Sequence, residues 1–125
     1  MLTIASLTAC LGGLPLISHA ETPTEPTVII SEVAWAGSSL SNADEWIELT
    51  NLSDEHINLS NWSLTGSATG GDSITFPEGS VIEPSDTFLM SNYDCTHEKS
   101  SLSVCSDLVD TAVSLSNSGL TLVLQ

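Results

Sequence analysis

The chain has 125 residues, 16 of them acidic, with Lys99 its single basic side chain and a formal charge of -15. A length of this order fits one domain. Nucleic acid is not expected to bind directly, because phosphate recognition depends on Lys and Arg releasing counterions, and an anionic membrane surface repels such a chain. Divalent cations, cationic partners or plain solubility are what the charge fits. Hydrophobic residues make up 41% of the chain and come in short bursts, which a disordered acidic tail lacks.

The chain opens on an uncharged, nearly continuous apolar stretch, residues 1–20. It ends in Ser18-His19-Ala20, whose small residues suit signal peptidase, so a secretory signal peptide cleaved after Ala20 is expected. No Lys or Arg precedes the apolar run, as one does in most leaders. Two alternatives share the segment. Leu7-Thr8-Ala9-Cys10 fits a lipobox that would lipidate Cys10, and an apolar run of roughly 20 residues can span a bilayer, although Gly12, Gly13 and Pro15 weaken such a helix. All three readings send the remainder out of the cytoplasm, secreted or at the cell surface, with no membrane contact after cleavage. Residues 21–27, Glu21-Thr22-Pro23-Thr24-Glu25-Pro26-Thr27, form a Pro/Thr/Glu linker.

Residues 28–125 read as one β domain. Val28 to Trp35 predicts a first strand. Glu45 to Thr50 predicts a second, with Ile47 and Leu49 on one face and Trp46 and Glu48 on the other. Asn51 to Glu55 turns and His56 to Leu59 returns. Trp62 and Leu64 share a face of the next strand, and Gly66 to Asp72 is a glycine-rich loop. Ile74 to Phe76, Val81-Ile82 and Thr87 to Met90 are further short strands, punctuated by Pro77-Glu78-Gly79 and Pro84. Asn92 to Asp110 is polar and irregular. Ala112 to Leu115 resumes the β pattern, and Leu120, Leu122 and Leu124 alternate in a last strand. Turn signals at roughly 8–12-residue spacing predict an all-β antiparallel sandwich or barrel and not βαβ units. Because the chain stops at Gln125 in mid-strand, the sandwich is expected to be incomplete at its C-terminal end.

Five segments stand in a telling order: Ile30-Ser31-Glu32-Val33, Asp44-Glu45-Trp46-Ile47-Glu48-Leu49-Thr50-Asn51, Leu59-Ser60-Asn61-Trp62-Ser63-Leu64, Pro77 to Pro84 followed by Phe88-Leu89-Met90, and Leu115-Ser116-Asn117-Ser118-Gly119-Leu120-Thr121-Leu122. Together they resemble the bacterial type of lamin-tail domain, from about Val28 to Leu124. The resemblance implies an immunoglobulin-like β-sandwich without catalytic residues. It implies an interaction or scaffolding module, secreted or surface-exposed, with a protein or cell-surface partner. It also leaves room for an accessory domain of a larger secreted hydrolase, such as a nuclease or phosphoesterase. The segment around Cys95 to Cys105 departs from the family pattern.

Candidate chemistry is sparse. Cys95 and Cys105 are the two cysteines after residue 20, and in an exported chain they are expected to form a disulfide. The alternative is a metal site of Cys95, His97 and Cys105 with Asp94, at spacings looser than zinc favours. Glu32, Asp44, Glu45 and Glu48 could hold Ca²⁺ if the fold converged them, but the expectation is solvated strand-edge charge plus turn hydrogen bonds, and no bound cofactor. Trp35, Trp46 and Trp62 are expected in the core and not on a sugar-stacking platform. His56 follows an acidic turn and is expected on the surface. No Gly-x-Ser-x-Gly elbow, phosphate loop or dinucleotide fingerprint is present, so the chain is expected not to be an enzyme. Three Asn-x-Ser acceptor patterns, at Asn51, Asn58 and Asn61, would matter only in a eukaryotic secretory pathway.

Overall fold

A computed structural model of the chain describes residues 26–125. The signal peptide, Cys10 and most of the linker lie outside the described residues. The β1 strand (Val28–Ala34) runs antiparallel to β2 (Trp46–Asn51). The β2 strand in turn pairs antiparallel with β7 (Thr87–Ser91), whose far edge carries the short β8 (Leu108–Val109) in parallel. A second group takes the order β5-β4-β9, with β4 at Ser63–Thr65, β5 at Ser73–Thr75 and β9 at Val123–Leu124. A two-stranded ladder joins β3 (Ile57–Asn58) to β6 (Val81–Ile82).

Alternation makes two layers of these ladders. Ile47 and Leu49 of β2, with Phe88 and Met90 of β7, point inward and join one cluster with Leu64 of β4, Ile74 of β5 and Ile82 of β6. Burying each of these side chains contributes about 1.5–3 kcal/mol. Phe76 and Phe88 meet edge to face across the layers, ring centroids 5.5 Å apart. The result is the expected all-β, immunoglobulin-like sandwich.

Three local expectations differ from the structure. The last strand was expected to take in Leu120, Leu122 and Leu124, but the ladder covers only Val123–Leu124. Its partner β4 ends at Thr65, because Gly66 turns away at φ 86° and donates its N–H to Gly71 and Asp72. Ala112 to Leu115 forms a single bridge, Val113 to Ala68, and no strand. Conversely, Leu108–Val109 pairs inside the segment expected to be irregular, held by the Asp107 N–H to Leu89 and the Asp110 N–H to Ser91. Two residues are too few for a pattern to be visible in sequence.

Candidate interaction surface

The signature segment places three polar side chains inside the protein. Asp44 is 1% exposed, Glu45 5% and Asn51 0%. This corrects the solvated half of the expectation for Asp44 and Glu45, while their bonds to loop N–H groups agree with its hydrogen-bonding half. Asp44 caps the disulfide-bearing loop: its Oδ2 accepts the Ser101 N–H at 2.8 Å. Burial alone would raise its pKa, but hydrogen bonds from Ser38, Ser101 and Ser100 outweigh burial and hold it below the usual carboxylate value. Glu45 accepts the Leu115 N–H at 2.8 Å. There burial wins over that one bond and pushes the carboxyl up. Asn51 donates from Nδ2 to the carbonyls of Glu55, Ile82 and Glu83, and its Oδ1 accepts the N–H and hydroxyl of Ser53.

Asn92 completes the set. Its N–H donates to the Glu45 carbonyl, and its Nδ2 to Thr111 and Val113. Both ends of β2 are thereby tied to loops that have little secondary structure of their own. These side chains are spent on internal bonds, because a buried polar group without a partner would cost about 1–3 kcal/mol.

The four carboxylates considered for Ca²⁺ do not converge. Glu32 and Glu48 are register partners on β1 and β2. Each takes a neighbour's donor: Trp46 Nε1–H for Glu32 at 3.3 Å and the Ser31 hydroxyl for Glu48 at 2.7 Å. Asp44 and Glu45 serve the separate backbone sites just described. Cys95 and Cys105 are bonded to each other. Asp94 lies with them in the one metal-like grouping among the described residues, but a bridged sulfur offers no thiolate to a metal. His97 is turned to a different task, stacking on Tyr93 at 4.5 Å between ring centres.

The tryptophans are dispersed. Trp62 is half-buried against the core. Trp46 shares a strand face with Glu48, opposite the core-facing Ile47 and Leu49. Trp35 is 47% exposed, which corrects its expected core place. It stands just past the end of β1.

Beside Trp35 lies an apolar cleft of about 560 Å³, lined by Ile30, Val33, Leu120 and Leu122 among others, with Gly119 at one wall. Ile30, Val33, Leu120 and Leu122 also pack on the core, so the cleft is a seam where the interior reaches solvent. It opens beside β1, the edge of one sheet, and beside the segment that leads into β9, the edge of the other. No local pattern announces it, because its walls lie some ninety residues apart in the chain.

The buried Asp44, Glu45 and Asn51 thus tie β2 and the residues just before it to distant loops. A family model for the lamin tail domain matches residues 21–124. The chain belongs to the lamin tail domain family. This is a non-catalytic β-sandwich family of interaction modules, and the match extends through residues 21–27, ahead of β1. A search of curated proteins finds no match. No helix among the described residues of this lamin tail domain is long and apolar enough to cross a membrane.

Proposed function

We propose that this lamin tail domain is a non-enzymatic interaction and scaffolding module that works outside the cytoplasm, secreted or at the cell surface. The observation that carries the reading is the use made of the signature polar residues. Asp44, Glu45 and Asn51 are buried and committed to backbone groups. General acid–base work needs a carboxylate within reach of a substrate proton, and these two are closed off. What faces outward is apolar surface beside Trp35 and dispersed negative charge. The Cys95–Cys105 bridge supports an oxidising compartment, as does the leader-like segment 1–20.

Fractionation of the native host with intact-mass measurement tests location. The reading expects the protein in the extracellular or envelope fraction with a mass beginning at Glu21; a cytoplasmic protein beginning at Met1 overturns it. Assays of the purified protein on nucleic acid and phosphoester substrates test the other half, and turnover above that of an Asp44→Asn/Glu45→Gln variant overturns it. The finer alternative is the targeting domain of a larger secreted hydrolase. A catalytic domain in the reading frame after Gln125 would favour it, and the module reading would then apply to this domain within the larger protein.

A further inference from the structure

We propose that the seam beside Trp35 takes an extended strand of a separate polypeptide, added along the free edge of β1, with apolar side chains at alternate positions and Lys or Arg at its flanks. The proposal rests on the interaction-module reading and names its site and partner class.

Three observations support it. The first is the unpaired edge. Among the described residues, strand β1 pairs with β2 alone and no other backbone group bonds to Val28–Ala34. An open row of N–H and C=O groups is a template for strand addition. The register shift between Ile30 and Glu32 interrupts the edge, so the straight tract available is Glu32–Ala34, next to Trp35. The second is the apolar floor. An added strand places every other side chain on one face, and the face beneath this edge is the cleft of Val33, Trp35, Leu120 and Leu122. Of these, Val33, Leu120 and Leu122 already touch the core, so a strand seated there extends the interior.

The third observation selects the occupant. The chain carries 16 acidic residues against one lysine, and Glu32 stands on the available tract itself. A second copy of the chain would bring the same charge to the same edge. A segment flanked by Lys or Arg meets complementary potential, which speeds encounter and suppresses wrong partners.

The test uses the mature protein and the labelled peptide Lys-Val-Thr-Val-Thr-Val-Lys, read by fluorescence anisotropy and by tryptophan emission. Saturable binding is expected, with a blue shift that Trp35→Phe removes. Trp35→Asp, at an exposed position outside the strand, is expected to weaken binding by about tenfold or more, with an unchanged circular dichroism spectrum and melting temperature. A peptide of the same charge with its central Val replaced by Pro loses the strand conformation and is expected not to bind. A Glu-flanked version is expected to bind at least about tenfold more weakly.

Equal binding of the Pro peptide would mean charge alone is being read, and it overturns the proposal. So does full binding by Trp35→Asp or no binding by the parent peptide. A dimer at micromolar concentration that Trp35→Asp dissociates would assign the edge to a second copy. Hydrogen-exchange protection of the Glu32–Ala34 amides facing the edge in the free protein would mean the chain itself covers the seam. Either of these overturns the proposal too. The two readings fail separately: turnover together with peptide binding sinks the module reading and leaves the site, whereas no turnover and no binding sinks the site alone.

Discussion

The Glu45 carboxylate accepts the backbone N–H of Leu115 across 70 residues of sequence, at 2.8 Å and in a buried position. One end of β2 is thereby fastened to the segment that leads toward β9. The neighbouring Asp44 does the same for the disulfide loop through Ser101, and their two pKa shifts have opposite signs.

Those signs predict opposite pH responses. Asp44 titrates lower in the folded protein than unfolded, so its contribution is full above the unfolded value and is lost as pH falls through the folded one. Glu45 titrates higher when folded. Its contribution is full below the unfolded value and is lost as pH rises through the folded one. Asp44→Asn should lose about 2 kcal/mol at pH 7 and converge on the parent in strong acid. Glu45→Gln should exceed the parent at pH 7 and converge on it in acid, because the amide, like the protonated carboxyl, carries no charge to bury. Urea unfolding from pH 3 to 7 checks both, and parallel curves for the two variants would contradict the assignment.

Asn51 is the polar residue with most to lose. Its amide serves three carbonyls on two sides of the β2 end, and it is wholly buried. Asn51→Ala should cost about 3 kcal/mol. Asn51→Asp should cost at least as much, because a carboxylate has no donor for Glu55, Ile82 and Glu83. Thermal and chemical denaturation read both; a loss below about 1 kcal/mol would mean water replaces the amide.

The Cys95–Cys105 bridge closes a loop with a sequence separation of 10. Its removal by Cys95→Ser/Cys105→Ser should cost about 2–3 kcal/mol. The same variant should expose the Ser101 amide to hydrogen exchange, because the loop that presents it to Asp44 is no longer pinned.

Gly66 has φ +86°, and a Cβ built on it would collide with the Thr121 carbonyl oxygen. Gly66→Ala should therefore cost more than the about 1–2 kcal/mol of left-handed strain alone. The damage should appear first as faster exchange at Val123 and Leu124, where β9 leans on β4.

Calcium gives a simple check on the carboxylates. With Glu32 and Glu48 paired to Trp46 and Ser31, and Asp44 and Glu45 buried, about 1 mM Ca²⁺ or a chelator should leave the melting temperature unchanged. Extracellular calcium modules respond in this concentration range. A rise of several degrees would show that loops rearrange to form a site.

Much of the architecture was written locally. Alternation in Trp46 to Asn51, the short apolar run Phe88 to Met90, and glycine and proline between the short strands determine a sandwich, because period-two burial needs a second layer to cover one face. Cys95 and Cys105 were legible as a pair for a similar reason, since only two cysteines follow the leader-like segment. What only the tertiary structure decided is where long-range partners meet. Asp44 and Glu45 read as surface charge until loops some sixty and seventy residues later present their N–H groups. Trp35 read as core until β1 proved to be an edge. Charge and burial depend on the neighbours a side chain acquires in three dimensions, and no local pattern encodes them.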